Sequence, residues 1–103
     1  VLGNNEINDM SPPTGSISNP VSGQIVNEIV NFTVLAQDDV SIDEVLFFID
    51  GVQVYTDDTE PYVYEWDTTI LVNSSQHTLS ATVRDDAENI ILLQPIIVTV
   101  ENE

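Results

Sequence analysis

Apolar and polar side chains alternate along most of this chain with a period of two residues. The alternation recurs in five segments, residues 30–36, 45–49, 62–66, 79–83 and 96–100. A period of two places every second side chain on the same face of a strand, whereas no stretch keeps the i, i+3, i+4, i+7 spacing of an amphipathic helix. The pattern therefore predicts an all-β domain whose strands bury one face.

Turn-forming residues separate these segments at intervals of about 8 to 12 residues, which is typical of an antiparallel sandwich or barrel. Asp50-Gly51 lies between two apolar runs and predicts a type I′ hairpin, because that turn needs two residues that tolerate a positive φ. Pro95 interrupts the apolar run of residues 90–100 and predicts an edge position, a bulge or a switch between sheets, since proline cannot donate to a strand ladder.

The composition agrees with a β domain, since Val, Ile and Thr make up 34 of the 103 residues. Residues 1–13, rich in Asn and acid and closed by Pro12-Pro13, are interpreted as an N-terminal arm or linker, and residues 14–103 as the sandwich domain. The inward positions of the strands predict a core. Its members are Phe32, Val34, Phe47, Ile49, Tyr64, Trp66, Leu79, Ala81, Val83 and Val98.

Charge excludes several classes of partner. The chain has 18 acidic residues and a single cation, Arg84, for a net charge of −17. Binding to nucleic acid or to an anionic membrane surface needs clustered cations, so neither is expected. The absence of cysteine excludes a disulfide scaffold, a thiolate zinc site and a cysteine nucleophile. No apolar run approaches the roughly 18 residues of a membrane span, so membrane insertion is not expected.

The chain resembles bacterial immunoglobulin-like domains over about residues 12–100. The resemblance rests on an ordered set of segments: Pro12-Pro13-Thr14, Ser18-Asn19-Pro20, residues 37–42 leading into 45–51, residues 61–68, residues 77–83 and residues 85–89. It implies an immunoglobulin-like antiparallel sandwich of about seven strands, but no single ligand, because such sandwiches have many functions. The chain departs from the family at Glu88, where glycine is usual in the loop of residues 85–89.

Domains of this family occur in tandem in secreted and cell-surface proteins. The resemblance therefore implies an extracellular or cell-surface, non-catalytic structural or adhesive module, either one bead of a multidomain surface protein or the subunit of an extracellular fibre. Its expected partners are neighbouring domains of the same kind or identical subunits. The alternative is a carbohydrate-binding module attached to a secreted enzyme.

Candidate catalytic groups are few. His77 is the only imidazole, and a histidine triad or a two-histidine metal site would need partners that the chain lacks. His77 shares its strand parity with inward Leu79 and Ala81, which favours a structural role at the head of a strand. Paired carboxylates are the remaining apparatus, and acids on turn tips are mainly solvated. We therefore expect no enzymatic activity.

Three aromatic residues, Tyr62, Tyr64 and Trp66, share one face of a strand. An exposed row of this kind stacks on sugars, but the intervening Val63 and Glu65 belong to the more polar face, so the aromatic face is predicted to be buried. A carbohydrate module would then have to use Tyr55 and Phe48.

Acidic residues are predicted to cluster at one end of the domain. In an immunoglobulin-like sandwich the loop after the second strand and the loop before the last strand lie at the same end. This topology gathers Asp38, Asp39, Asp85 and Asp86, with Asp43, Glu44 and Glu88 nearby. Oxygen-rich sites for hard cations relieve such crowding, so calcium is the leading ligand hypothesis, with Asp38, Asp39, Asp85 and Asp86 as ligands. The alternative is a set of solvated loop acids.

Some apolar residues fall on outward parities. Leu46, Phe48 and Ile97 lie on strands of one sheet in this fold and predict an exposed apolar patch, interrupted by Ser80 and Thr82. The N-terminal arm carries Val1, Leu2, Ile7 and Met10, too few apolar groups to fold alone. The arm is therefore predicted to dock, on its own domain or on a neighbour.

Overall fold

The computed structural model describes residues 12–38 and 41–102 of the chain. Within these ranges every regular element is a strand, and no helix suited to crossing a membrane is present. The strands are β1 (Thr14–Asn19), β2 (Ile25–Val26), β3 (Ile29–Gln37), β4 (Ile42–Ile49), β5 (Val52–Asp57), β6 (Tyr62–Asp67), β7 (Ser75–Asp85), β8 (Ile90–Leu92) and β9 (Ile96–Val100).

The strands form two sheets that face each other. The smaller sheet has the order β1-β3-β6, and the larger has the order β2-β9-β7-β4-β5, with β8 also paired to β7. All pairings are antiparallel except that of β2 with β9, which is parallel. The predicted all-β sandwich is thus confirmed.

Two of the strands are broken, which reconciles nine segments in the described residues with the expected seven strands. β1 and β2 are successive parts of the first strand, which changes from the small sheet to the large one. β8 and β9 are successive parts of the last strand, and both pair with β7. Pro95 lies in the break between them, so its predicted disturbance of the ladder is confirmed as an interruption within one sheet.

The predicted hairpin at Asp50-Gly51 is also confirmed. Both residues have a positive φ, 53° for Asp50 and 83° for Gly51, and they connect the directly paired Ile49 and Val52. These are the dihedral angles of a type I′ turn, whose twist matches that of the flanking strands.

The core lies between the sheets, where the rings of Phe32 and Phe47 meet edge to face with centroids 4.9 Å apart. Of the residues predicted to form it, Ile49 and Tyr64 are half-buried and pack against its margin. The others are buried, namely Phe32, Val34, Phe47, Trp66, Leu79, Ala81, Val83 and Val98. Alternation along the strands therefore identifies the buried face correctly.

The sandwich has two chemically distinct ends. The upper end, defined by Asp38, Ser41 and Asp86, is where β3 and β7 finish and where β1 begins, because Thr14 pairs with Gln37. The lower end, defined by Asp50 and the loop of residues 68–74, is where β9 finishes, because Val100 pairs with Ser75.

Candidate functional site

The upper end brings together the two loops that the sequence placed there. The Asp86 N–H donates to the Ser41 carbonyl at 3.1 Å, and the Ser41 hydroxyl contacts the Asp86 carboxylate. Asp38 lies in the same loop region as Ser41, whereas Asp39 lies outside the described residues. The predicted juxtaposition of these loops is therefore confirmed for the described part.

Arg84 offsets part of the negative charge close to this end. Its guanidinium nitrogen Nη2 lies 2.6 Å from Asp43 Oδ2 and 2.9 Å from Glu44 Oε2. All three side chains are partly exposed, so the pairs are screened by solvent and contribute modestly to stability. The only cation of the chain is thus bound to two of the acids near the predicted calcium site.

Asp85 is a structural residue. It is 1% exposed, and its Oδ1 accepts from the N–H groups of Ala87 at 3.0 Å and Asn89 at 2.8 Å. Its Oδ2 accepts from the Asn89 amide at 3.0 Å. These bonds occupy lone pairs that calcium would need, and the described residues contain no group of three or more acidic or histidine side chains placed to hold a metal. A calcium site with Asp38, Asp39, Asp85 and Asp86 stays a prediction.

Three successive strands end in an aspartate that forms the next turn. Oδ1 of Asp57, Asp67 and Asp85 each accepts from the backbone N–H two residues later, at 3.1, 2.9 and 3.0 Å respectively. At Asp67, the hydroxyl and the N–H of Thr69 both donate to the carboxylate and hold its pKa below the ordinary value. Three of the 18 acidic residues of the chain therefore form turns. The repeated Asp at strand ends was the signal for it in the sequence.

The lower end contains a serine, a histidine and an aspartate in contact. His77 Nε2 lies 2.9 Å from Ser75 Oγ, and His77 Nδ1 lies 2.6 Å from Asp50 Oδ2. The expectation that the chain lacks the partners of a histidine triad was wrong, because the hairpin turn brings Asp50 beside β7. The connectivity is that of a hydrolase triad, so the positions of the protons decide what it can do.

The hydrogen bonds of Ser75 indicate where its hydroxyl proton points. Ser75 Oγ lies 2.6 Å from the Val72 carbonyl oxygen, which can only accept, so the single hydroxyl proton is directed there. The hydroxyl proton of Ser75 is therefore not directed at His77 Nε2, and the donor or acceptor role of each ring nitrogen depends on the tautomer of His77. A general base takes the proton of a serine whose hydroxyl donates to it, whereas this hydroxyl donates to a backbone carbonyl. The arrangement therefore binds the hairpin to β7 and leaves the Ser75 hydroxyl directed at a backbone carbonyl.

Asp50 is stabilised as a carboxylate in this arrangement. Burial by itself raises its pKa, but hydrogen bonds from His77 and from the Thr78 N–H, together with the charge of His77, outweigh burial and hold the pKa below its ordinary value. The ring of His77 also packs edge-on against Trp66 at 5.7 Å, so the cluster continues into the core. The expected structural role of His77 agrees with these contacts.

A second polar network fixes the chain where it leaves β9. Asn102 Oδ1 accepts from the Glu28 N–H at 2.8 Å, and its amide donates to the Thr68 carbonyl at 2.7 Å. The Thr68 hydroxyl, fully buried, donates to the Glu28 carbonyl at 2.8 Å, and the Asn102 N–H donates to Asn73 Oδ1 at 2.7 Å. Sequence patterns gave no indication of this network, because its members are far apart in the chain.

The predicted apolar patch on the large sheet is present in altered form. Ile97 is 50% exposed, as predicted. Leu46 and Phe48 are half-buried and so less exposed than predicted, because neighbouring strands flank them. The most exposed apolar residues on this face include Ile90 and Leu92 of β8. Phe48 lines a groove of about 450 Å³, together with Ser80, Thr82, Leu92, Gln94 and Pro95. The arm residues Val1, Leu2 and Ile7 lie outside the described residues.

The aromatic residues close one side of the sandwich. Tyr55 and Tyr64 lie on the facing edges of the two sheets with ring centroids 5.6 Å apart and planes inclined by 30°. Tyr62 and Trp66 are buried, as predicted, and burial together with the nearby Glu60, Asp57, Asp58 and Asp86 raises the pKa of Tyr62. Tyr55 remains partly exposed, whereas Phe48 is half-buried in the groove.

Comparison with known proteins supports the resemblance seen in the sequence. A family model described as bacterial Ig domain matches residues 13–81, more than half of the chain. No curated protein matches significantly.

Solved structures match the fold over most of the chain. The fibronectin(III)-like modules of CbhA from Clostridium thermocellum align with a TM-score of 0.66 and 28% identity, covering 89% of this chain and 47% of theirs. The endo-β-1,4-mannanase from Thermotoga petrophila aligns with a TM-score of 0.70 and 16% identity, covering 92% of this chain and 21% of its own. The chain thus spans about half of the first and a fifth of the second. The predicted immunoglobulin-like sandwich is confirmed.

Proposed function

Because the chain belongs to the bacterial Ig domain family, we propose that it is a non-catalytic extracellular module with a structural or adhesive role. It serves as one bead of a multidomain surface protein or as the subunit of an extracellular fibre. The family match and the fibronectin(III)-like neighbour support this assignment. The solved CbhA structure contains more than one such module, and its chain is about twice as long as this one. Both facts support an arrangement in series.

The observation that carries the proposal is the position of the first and last strands. Thr14 pairs with Gln37 at the upper end, whereas Val100 pairs with Ser75 at the lower end. The polypeptide therefore enters and leaves the sandwich at opposite ends. The nine residues of β3 span about 30 Å at roughly 3.3 Å per residue, so each copy adds about that length to a series.

The Asn102 network adds to this argument. By joining Asn102 to Glu28, Thr68 and Asn73, it fixes the direction in which the chain leaves the lower end. A fixed exit direction restricts the angle between consecutive modules. This suits a module that acts as a spacer or bears force.

The linear arrangement is tested by small-angle X-ray scattering on one copy and on two copies joined in series. We expect the maximum dimension to increase by at least the 30 Å length of one sandwich. An increase of less than about 10 Å would mean that the copies fold back side by side, and would contradict the proposal.

The absence of catalysis is tested at Ser75, which among the described residues has the connectivity of a nucleophile. A fluorophosphonate probe is expected to label the protein no more than it labels Ser75→Ala, because the Ser75 hydroxyl donates to the Val72 carbonyl and not to His77. Labelling of the unmodified chain alone would overturn the non-catalytic assignment. The carbohydrate alternative is tested in parallel by retention on insoluble cellulose and mannan, with Tyr55→Ala as the control for stacking.

A further inference from the structure

One edge of the large sheet is covered along its lower half and open along its upper half. In the lower half β2 pairs in parallel with β9. In the upper half, among the described residues, β8 pairs with β7 alone, so its other side has no strand beside it. An exposed strand edge accepts a further strand from another chain unless it is protected.

The hydrogen bonds around β8 show which backbone groups face that opening. The Asp85 N–H donates to the Asn89 carbonyl at 3.0 Å, and the Leu93 N–H donates to the Ala81 carbonyl at 2.9 Å. Backbone groups alternate in direction along a strand, so those of Ile90 and Leu92 point away from β7. Two N–H groups and two carbonyl groups are therefore available to an added strand.

Charged side chains, one usual protection of an edge strand, are missing from β8. Edge strands commonly carry charged side chains, but Ile90 and Leu92 are 56% and 77% exposed and entirely apolar. Leu92 also lines the groove that contains Phe48 and Pro95. An extended segment on β8 would thus gain backbone hydrogen bonds at the edge and apolar contacts in the groove beside it.

We propose that the open edge of β8 binds the N-terminal segment, residues 1–11, of a second copy of this chain. The inference rests on the proposed function as a module that associates with its own kind. The segment has the composition for this role, because Val1, Leu2, Ile7 and Met10 are apolar and only Glu6 and Asp9 are charged. Eleven extended residues reach up to about 36 Å, longer than the sandwich itself.

The position where the segment joins the domain favours a second copy over the same copy. Thr14 lies at the upper end, and β1 runs downward from there in the small sheet. Pairing with β8 of the same copy requires the chain to reverse at Pro12-Pro13. Two consecutive prolines fix φ near −65° and favour an extended conformation, which disfavours that reversal. The open edge of a second copy is reached without it.

The proposal is tested on the full chain by amide hydrogen exchange at low and high protein concentration, with sedimentation velocity at the same concentrations. At moderate salt, which screens the charge of −17, we expect concentration-dependent association. The amides of Ile90 and Leu92 should become at least tenfold more protected on association, whereas that of Ile91, already bonded to β7, should change little.

Matched variants separate the edge from a general effect of charge or fold. Leu92→Pro removes the outward N–H and should weaken association at least tenfold, and the double variant I90K/L92K should do the same. Leu35→Lys is the control, because Leu35 is 61% exposed on the central strand of the other sheet, and it should associate like the unmodified chain.

Each outcome decides the question. A full chain that stays monomeric at high concentration and salt overturns the proposal, and protection of Ile90 and Leu92 in that monomer would show docking within one copy. Association that Leu92→Pro and I90K/L92K leave unchanged overturns it as well. None of these results contradicts the module function, which fails separately if Ser75 is labelled or if copies in series do not lengthen.

Discussion

His77 and Asp50 show how a pair of side chains can fix the relation between two elements. Asp50 occupies a turn position that requires a positive φ, and its carboxylate then binds the His77 ring and the Thr78 N–H on β7. The hairpin tip is thereby attached to the strand that runs through the centre of the large sheet. The side chain of Asp50 is about half exposed, so the pair acts mainly by fixing geometry.

The contact between Asp50 and His77 predicts that the stability of the domain depends on pH. The pKa of Asp50 is lowered in the folded protein, so its contribution to stability is present above the unfolded value near 3.8 and is lost as the pH falls through the folded pKa. Asp50→Asn keeps a residue that tolerates the turn but removes the charge. We expect the variant to have a lower urea midpoint at pH 7 and the difference from the unmodified protein to shrink below about pH 4.

The control for this measurement is Asp58→Asn, an exposed acid at the upper end. Both variants reduce the net charge equally, so the control accounts for the repulsion that any lost carboxylate relieves. A difference that is the same at pH 7 and pH 3 would contradict the role assigned to the pair.

Glu88 carries backbone strain that the family usually avoids. Its φ is 68°, in the region where a side chain costs about 1 to 2 kcal/mol and glycine costs little. Glu88→Gly is therefore expected to stabilise the domain by about 0.5 to 1 kcal/mol, because the relief of strain exceeds the greater chain entropy of glycine in the unfolded state. Chemical denaturation measures the change.

Glu88→Ala separates strain from charge in the same experiment. It removes the carboxylate but keeps a Cβ at positive φ, so it should leave stability within about 0.5 kcal/mol of the unmodified protein. Equal stabilisation by both substitutions would mean that charge, and not conformation, is the cause.

At the level of residues, the sequence predicts burial well and polar contacts poorly. Trp66 and Phe32 are buried as expected, because alternation alone identifies their face. The contact between Ser75, His77 and Asp50 was not predicted, since it depends on a turn and a strand that are distant in sequence. The departure of Glu88 from the glycine usual in the family left the conformation of its turn open, and the structure shows a positive φ there.

At the level of elements, interruptions were easier to predict than their consequences. Pro95 indicates a break, and the structure shows that both halves pair with β7. Which half keeps an open edge depends on β2, a strand of two residues that no periodic pattern could identify. The open edge of β8, on which the docking proposal rests, was therefore invisible in the sequence, although the exposed patch beside it was partly predicted.

The polar network around Asn102 joins the loops of the lower end and is expected to stabilise the fold. Asn102→Ala removes the acceptor for the exposed Glu28 N–H and the donor to the partly buried Thr68 carbonyl. We expect a loss of about 1 to 2 kcal/mol in the free energy of unfolding, because unsatisfied polar groups there must recruit water. Asn27→Ala, at an exposed position of the neighbouring loop, is the control and should change stability by less than about 0.5 kcal/mol. Equal effects of the two variants would contradict the network's role.

At the scale of the molecule, the charge of −17 has two partial explanations in the structure. Asp57, Asp67 and Asp85 form turns, and Asp43 and Glu44 share Arg84. The fold itself followed from alternation and turn spacing, which act over the whole chain, so it was predicted more completely than any site. The role of each acidic residue was harder to predict. Whether an acid forms a turn, joins an ion pair or binds a metal depends on neighbours that the fold brings together.

Calcium binding tests whether the acids at the upper end act as metal ligands. A cation bound there by Asp38, Asp39, Asp85 and Asp86 would stabilise the folded state by mass action, about 2.7 kcal/mol at one hundred times the dissociation constant. The prediction is that the melting temperature rises more in millimolar calcium than in magnesium at equal ionic strength, because calcium accepts irregular oxygen sites more readily. Asp86→Asn should abolish the difference, whereas Asp67→Asn, at the lower end, should retain it. Equal melting temperatures in the two cations would contradict the site, since screening of a charge of −17 depends on ionic strength and valence and not on which divalent cation supplies it.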